Sequence, residues 1–401
     1  MKMGTMGSDR EVVFLSAVRT GFGAFGGSLR NHTATDLGVV AAEAAIERSG
    51  ADAEAFDQVF FGNVIQSSAD AIYLARHVGL RAGLPIEVPA VTVNRLCGSG
   101  FQTVMDGAQS IMLGESRLCL TGGAESMSQA PHVVRGVRWG KLRLGPAAPF
   151  EDTLWEALTD PYCGFSMAET AENLAAEYEI TRQDVDEYAV RSQRLAKAAW
   201  DEGRFEDEVV PVMVKVKGKE VEFRADEHMR PDTTVEALSS LRPYFKKDGL
   251  VTAGNASGIG DGAAALVVAD AEYARSEGLE PIGRLVAWAV VGVPPRIMGL
   301  GPAPASRAAL ERAGLTLDDM VAIEVNEAFS PQYVAVEKEL GLDREKVNMN
   351  GGAIAITHPL AATGARITAH LLHELRRRGG GFGLGSACIG GGQGIAVVVE
   401  V

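Results

Sequence analysis

The feature that most constrains the fold of this chain is an internal repeat. The segment AAIERSG at residues 44–50 recurs 264 residues later as AALERAG at residues 308–314. In both copies a helical stretch ends at a glycine, and an apolar strand follows at residues 59–63 and 323–327. Because the repeat distance is far longer than that of a solenoid, the sequence predicts two copies of one unit.

A second match between distant segments supports the duplication. A strand that ends at residues 93–94 has a counterpart that ends at residues 347–348, 254 positions farther on. Each is followed by a glycine-containing loop, a helix and a further strand that runs into glycines, at residues 122–123 and 390–392. Strands and helices alternate within each unit, which predicts an α/β fold of two layered units with mostly parallel mixed sheets.

The stretch between the two units differs in character, with charged helices, a basic strand-like segment and many polar turns. We therefore predict an N-terminal half at residues 1–127 and 259–280, and a C-terminal half at residues 281–401. An inserted loop domain at residues 128–258 separates them.

The inserted domain carries a candidate site for an anionic ligand. Arg230, Lys246 and Lys247 accompany the glycine-containing segment at residues 254–258, and loops of this kind bind anions through backbone N–H groups. A solvated structural extension is the alternative for this region. The net charge of −14 argues against nucleic acid as the main partner, because phosphate binding needs a basic face.

Composition limits the class of protein further. The 401 residues are 46% apolar and 22% charged, which is typical of a globular chain of two or three domains. There is no apolar run of about 18 residues, so a membrane-spanning helix is excluded. Residues 1–10 lack the apolar stretch of a secretory signal. The four cysteines lie too far apart for zinc-ligand spacing, which favours a reducing compartment. We expect a cytoplasmic location.

Cys97 is the first candidate for chemistry. It lies in NRLCGSG at residues 94–100, directly after a predicted strand and before a helix. Backbone N–H groups and the positive end of the helix dipole would lower the pKa of its thiol below about 8.5 and make it a nucleophile. The alternative is a buried cysteine that fills a small space in the core.

Cys388 occupies the equivalent place in the second unit, in SACIGGG at residues 386–392. The glycine run can present N–H groups to a developing oxyanion, or it can be a tight turn before the last strand.

His358 and Asn326 are further candidates in the second unit. Pro359 excludes a regular helix at His358, whose imidazole can deprotonate a thiol or donate to an oxyanion. Asn326 begins the segment NEAF at residues 326–329 and can hold a water or orient a ligand. A structural histidine and a turn-forming asparagine are the alternatives.

Two cysteines, a histidine and an asparagine at strand ends of matching units resemble the thiolase family over essentially the whole chain. The segments that carry the resemblance are residues 94–100, 254–262, 326–329, 358–359 and 388–394. The stretches VNRLCGSGFQ at residues 93–102 and ELRRRGG at residues 374–380 are most similar to 3-ketoacyl-CoA thiolases of mitochondrial fatty-acid oxidation.

The resemblance implies a catalytic role for each candidate. Cys97 would carry the acyl group as a thioester, His358 would take its proton, and Cys388 would act as the acid/base at the α-carbon of acetyl-CoA. His358 and a water held by Asn326 would stabilise the enolate oxygen. The backbone N–H groups of Cys97 and Gly390 would hold the thioester carbonyl. The implied activity is reversible thiolytic cleavage of 3-ketoacyl-CoA or Claisen condensation of acetyl-CoA.

Further residues would bind coenzyme A, which is a substrate and not a cofactor. Arg230 would contact the nucleotide and Ser257 the pantetheine, while Met167, Phe329 and Met298 would line the substrate tunnel. The resemblance implies CoA thioesters as the partners, no metal or redox cofactor, and a homodimer or homotetramer.

The sequence departs from the family pattern close to these residues. Thr357 and Ala361 stand where glycine is usual, and Gly260 stands where asparagine or another small polar residue is common. We expect Thr357 and Ala361 to narrow or reorient the acyl pocket. Two other functions are compatible with such a chain. A ketosynthase-like condensing enzyme would carry histidine or asparagine in place of Cys388, and a non-catalytic acyl-CoA or lipid-binding protein would lack an intact site.

Overall fold

The computed structural model describes residues 10–140 and 150–401. Parts of the predicted N-terminal half and loop domain, and nearly all of the segment assessed for a secretory signal, lie outside the described residues. The α-helices are α1 (Ala34–Ser49), α2 (Leu74–Arg81), α3 (Ser99–Leu113), α4 (Thr153–Ala157), α5 (Met167–Glu177), α6 (Arg182–Asp201), α7 (Val235–Ser239), α8 (Ala271–Ser276), α9 (Pro302–Ala313), α10 (Ser330–Leu340), α11 (Ala353–Ile356) and α12 (Thr363–Arg377).

The strands are β1 (Val12–Thr20), β2 (Gly23–Ala24), β3 (Gln58–Gly62), β4 (Ala90–Val93), β5 (Leu118–Ser126), β6 (His132–Val133), β7 (Glu151–Asp152), β8 (Thr159–Asp160), β9 (Phe165–Ser166), β10 (Val209–Val210), β11 (Val212–Val216), β12 (Lys219–Phe223), β13 (Gly260–Asp270), β14 (Gly283–Gly292), β15 (Met320–Val325), β16 (Phe382–Ile389) and β17 (Gln393–Glu400). The main sheet has the order β15-β16-β17-β14-β1-β13-β5-β3-β4.

The two parts of this sheet repeat one topology. In the N-terminal part, β1 and β5 both run antiparallel to β13, and β3 runs parallel to β5 and β4. In the C-terminal part, β14 and β16 run antiparallel to β17, and β15 runs parallel to β16 and to a bridge at Val347. The two parts meet where β1 pairs with β14 over two residues. The predicted duplication is confirmed.

The expected predominance of parallel strands is wrong, although the sheet is mixed as predicted. The central strands β13 and β17 run against both of their main-sheet neighbours, so antiparallel ladders form the middle of each part. In the C-terminal part the reason is direct: β16 and β17 are joined only by residues 390–392, and so short a turn connects antiparallel strands.

The repeated sequence segments are the last turns of two equivalent helices. The helix α1 ends at Gly50 and α9 ends at Gly314, with φ angles of 68° and 69°. This left-handed conformation favours glycine, which explains why the repeat ends in that residue. The helix α1 packs against the N-terminal part of the sheet and α9 against the C-terminal part.

The helices α3 and α12 pack against each other and against strands of both parts of the sheet. Their first turns approach closely enough that a Cβ atom at Gly100 would overlap the backbone of Ala365, and one at Gly364 would overlap that of Phe101. The loops that precede the two helices are therefore held side by side at the junction of the halves.

The segment between β5 and β13 contains α4 to α7 and the small sheets β6-β7, β8-β9 and β11-β12. The strand β13 then returns to lie between β1 and β5. The boundaries of the three predicted domains stay a prediction. No helix within residues 10–140 and 150–401 is long and apolar enough to cross a membrane.

Candidate active site

A cavity of ≈ 120 Å³ lies where the two halves meet the segment between them. Most of the residues singled out from the sequence line it, although they come from distant parts of the chain. These residues are Cys97, Met167, Ser257, Met298, Phe329, His358 and Cys388.

Cys97 lies in a 3₁₀ turn, Leu96–Gly98, between β4 and α3. The hydroxyl of Ser99 fixes this turn, because it donates to the carbonyl of Leu96 over 2.7 Å and accepts from the N–H of Arg95 over 2.9 Å. Leu96 has a positive φ of 47°, which turns the chain sharply just before the cysteine. The thiol of Cys97 faces the cavity.

The expected lowering of the thiol pKa at Cys97 is wrong. Burial raises the pKa of Cys97 to about 11. The N–H groups of Gly390 and of Cys97 itself favour the thiolate, but they do not outweigh desolvation and the nearby charge of Glu125. The helix α3 begins only at Ser99, and the sulfur lies among apolar side chains. Cys97 is therefore a neutral thiol at rest.

Cys388 lies at the end of β16 and is fully buried, in a cluster with Met167, Met298 and Ala328. Burial and the proximity of Cys97 raise its pKa well above the ordinary range of a thiol. Two neutral thiols, one from each half, thus share one cavity.

His358 is held on three sides. Its backbone N–H donates to the carbonyl of Gly258 over 3.0 Å, and its ring nitrogen Nδ1 lies 2.5 Å from the hydroxyl oxygen of Thr363. That hydroxyl donates to the carbonyl of Pro359 over 3.0 Å, so its oxygen accepts from Nδ1–H. The remaining nitrogen, Nε2, carries a lone pair and lies 3.4 Å from Nδ2 of Asn326. Burial lowers the pKa of His358 to about 3, so the imidazole is neutral.

Asn326 follows β15 and does not line the cavity itself. Its backbone N–H donates to the carbonyl of Ser386 over 2.9 Å, and its side-chain Oδ1 has no hydrogen-bond partner among the described residues. The adjacent Glu327 accepts from the hydroxyls of Tyr188 and Ser192, each over 2.7 Å, and from the N–H of Ile354 in α11. Glu327, which the sequence reasoning did not single out, thereby fixes the segment that leads to His358.

The proposed CoA residues divide into two groups. Ser257 and Phe329 are neighbours because residues 256 and 329 form a β-bridge, and both line the cavity with Met167 and Met298. Arg230 does not: it is exposed, and its guanidinium donates to the carbonyls of residues 228 and 229 over 3.0 and 2.9 Å.

Thr357 and Ala361, expected to shape the acyl pocket, are not among the residues that line the cavity. Thr357 packs against Gly260 instead, and the N–H of Ala361 donates to Glu125. The apolar walls include side chains that the sequence reasoning missed, because they share no motif or period. These are Met127, Leu158, Phe245, Ile259 and Leu360.

Two family models account for almost the whole chain: the thiolase N-terminal domain matches residues 12–272 and the thiolase C-terminal domain matches residues 279–401. The chain belongs to the thiolase family. This thiolase is 55% identical to the mitochondrial 3-ketoacyl-CoA thiolase of Homo sapiens, with 98% of each chain covered. It is 47% identical to an acetyl-CoA acetyltransferase of Cupriavidus necator, with 97% of this chain and 99% of the relative covered.

Solved structures agree with this assignment. A crystal structure of human mitochondrial 3-ketoacyl-CoA thiolase in complex with CoA matches with a TM-score of 0.96 at 54% identity, covering 99% of both chains. The family membership confirms the predicted fold class and makes this thiolase an acyltransferase. It favours neither the ketosynthase-like enzyme nor the non-catalytic binder.

The expected cytoplasmic location is wrong by the same comparison. The 3-ketoacyl-CoA thiolases of Homo sapiens, Pongo abelii and Bos taurus, at 54–55% identity, are mitochondrial proteins. The physical reason is that unpaired cysteines are compatible with any reducing compartment, and a negative net charge is compatible with any aqueous one. Neither property distinguishes the cytoplasm from the interior of an organelle.

Proposed function

We propose that this thiolase catalyses the reversible conversion of a 3-ketoacyl-CoA and CoA into acyl-CoA and acetyl-CoA. The reverse direction is a Claisen condensation, and acetoacetyl-CoA formed from two acetyl-CoA is its shortest product. The observation that carries the proposal is the shared cavity, which brings two neutral thiols from opposite halves together with a neutral imidazole.

In the cleavage direction, the Cys97 sulfur attacks the ketone carbonyl carbon while its proton moves to Nε2 of His358. The bond between that carbon and the α-carbon breaks, and the acetyl-CoA enolate takes a proton from the Cys388 thiol. The thiol of CoA returns a proton to Cys388 and its sulfur attacks the acyl-cysteine. Acyl-CoA leaves, and His358 gives its proton back to Cys97.

The pKa values of the pair support a concerted first step. The pKa of Cys97 is raised to about 11 and that of His358 is lowered to about 3, so the proton stays on sulfur until a substrate carbonyl accepts the developing negative charge. The N–H groups of Cys97 and Gly390 then favour the oxyanion that forms beside the sulfur, and one such donor is typically worth about 10²–10³ in rate. His358 and a water held by Asn326 are the proposed donors toward the enolate oxygen.

CoA thioesters are the proposed substrates, with no metal or redox cofactor. A small apolar cavity suits part of a pantetheine arm, whose methylenes favour apolar walls and whose amides need only a few partners such as Ser257. Arg230 is exposed outside the cavity, where a guanidinium can meet the phosphates of the nucleotide.

We propose that the protein is a homodimer or a homotetramer. The strand β4 is the last strand at one end of the main sheet formed by the described residues, and large apolar side chains near it are exposed: Ile86 at 73%, Tyr73 at 56% and Val91 at 45%. An apolar edge strand favours pairing with another chain. Light scattering should give a mass of two or four chains, and a mass near one chain would contradict the proposal.

Acetyl-CoA labelling followed by mass spectrometry tests the split between the two cysteines. Cys97→Ala should abolish the acetyl adduct. Cys388→Ala should keep the adduct on Cys97 but lose carbon–carbon bond formation and cleavage. Cys119→Ala, which removes a buried thiol on β5 that does not line the cavity, is the matched control and should do neither. An adduct that survives in Cys97→Ala would overturn the proposed function.

A further inference from the structure

Glu125 is a fully buried carboxylate on β5 that the mechanism above does not use. Its oxygens accept hydrogen bonds from Nδ2 of Asn63 over 3.1 Å and from the N–H groups of Val64, Ile65 and Ala361 over 3.2, 3.0 and 3.1 Å. All four donors are neutral. Burying a charge without a cation is costly, so a carboxylate here calls for an explanation beyond packing.

The four hydrogen bonds join the loop after β3, at residues 63–65, to the loop that carries His358. Ala361 belongs to the loop that begins at His358. On the other side, the carbonyl of Val64 accepts from Nδ2 of Asn94 over 3.3 Å, and Oδ1 of Asn94 accepts from the N–H of Leu96 over 3.0 Å, next to Cys97. Glu125 therefore connects the Cys97 turn to the His358 loop across the junction of the two halves.

We propose that Glu125 is a positioning residue that fastens the His358 loop to the N-terminal half, so that the imidazole is held in line with Cys97. This inference rests on the proposed roles of Cys97 and His358. The local packing leaves little slack: a Cβ atom at Gly123, two residues earlier on β5, would overlap the carbonyl of Ala361. A small loss of alignment between base and nucleophile is expensive, since a misplacement of 1 Å can cost about 100-fold in rate.

The charge of Glu125 has a second effect that a merely structural residue would not have. It is one of the groups that raise the pKa of Cys97. Burial raises the pKa of Glu125 itself to about 7, and the carboxylate of Asp261 on the neighbouring β13 acts in the same direction. Loss of this charge should therefore make the Cys97 thiolate easier to form.

Two substitutions separate position from charge. Glu125→Gln removes the charge and places an amide N–H group against a donor, so we expect kcat to fall by about 10- to 100-fold with little change in KM. The pH midpoint for alkylation of Cys97 by iodoacetamide, followed by peptide mass spectrometry, should move to lower pH. Glu125→Asp keeps the charge but shortens the reach toward Ala361, so kcat should fall while the alkylation midpoint stays in place.

Asp270→Asn is the matched control. Asp270 is a buried carboxylate at the far end of β13 that accepts from the N–H groups of residues 272 and 273. Its substitution should lower the Tm and leave kcat and the alkylation midpoint unchanged.

An unchanged kcat and alkylation midpoint in Glu125→Gln, with only a lower Tm, would overturn the inference. Should that variant not fold, an unchanged kcat in Glu125→Asp would do the same, and a reduced kcat would support it. The alkylation readout needs only the thiol, so it is independent of the proposed function. That function fails separately if the unsubstituted protein forms no acetyl adduct on Cys97.

Discussion

A single hydroxyl selects the tautomer of the histidine at this site. Because the hydroxyl of Thr363 donates to the carbonyl of Pro359, its oxygen holds the hydrogen on Nδ1 of His358 and leaves the lone pair, which can accept a proton, on Nε2. A histidine whose pKa is lowered to about 3 is neutral near pH 7, so the tautomer and not the charge decides whether it can act as a base there.

Thr363→Val should therefore lower kcat by at least about tenfold, because the buried Nδ1–H loses its acceptor and the imidazole its fixed tautomer. Thr368→Val is the matched control: Thr368 lies on the same helix, is buried, and donates its hydroxyl hydrogen to the carbonyl of Gly364 over 2.9 Å. Both variants should lose some stability in thermal unfolding. Steady-state rates that fall equally in the two would contradict the tautomer argument.

The sequence indicated the strand-end residues well and their environment poorly. Cys97 and Cys388 lie close to glycines at the ends of predicted strands, so their place in the fold was visible, whereas His358 follows the helix α11 and not a strand. The pKa of Cys97 was predicted in the wrong direction because desolvation depends on side chains such as Leu360, which lies hundreds of residues away in the chain. Glu125 has no motif around it, and its donors come from two loops that only the fold brings together.

At the scale of elements, the contact between α3 and α12 positions both catalytic loops. The repeat predicted the equivalent helices, and the glycine at the end of α1 and α9 marked their last turns. The sheet directions were harder to predict, since alternating strands and helices favour parallel ladders and give no sign that β13 runs the other way. For β17 the sign was the short glycine turn at residues 390–392.

Gly100→Ala tests the helix contact. A Cβ atom at this position would overlap the backbone of Ala365, so the first turns of α3 and α12 must separate. We expect a loss of about 1–3 kcal/mol in the free energy of unfolding, together with reduced kcat. Gly292→Ala, where an added Cβ atom meets nothing within 4 Å, should change the unfolding free energy by less than about 0.5 kcal/mol. Equal urea midpoints for the two variants would contradict the proposed close contact.

At the scale of the whole molecule, a buried ionic cluster joins the two halves and the segment between them. Arg19 on β1 donates to Glu208 and to Asp226, each over 2.7 Å. Nδ1 of His370, on α12, lies 2.7 Å from the other oxygen of Glu208. Burial alone would lower the pKa of His370, but the charge of Glu208 outweighs it and the pKa is raised.

The raised pKa of His370 makes stability depend on pH in a definite direction. Protonated His370 stabilises the folded state fully below the ordinary histidine pKa of about 6.5, and this contribution is lost as pH rises through the higher pKa of the folded protein. As the pH rises above about 6.5, the Tm of the unsubstituted protein should therefore fall more steeply than the Tm of His370→Gln. At pH 6 the Tm of His370→Gln should be the lower of the two, because Glu208 loses a buried partner. His77→Gln, which removes a partly exposed histidine 3.4 Å from Asp70, should keep the steep profile. If calorimetry across the pH series gives parallel curves for the unsubstituted protein and His370→Gln, the cluster does not contribute the charge-dependent stability argued from its geometry.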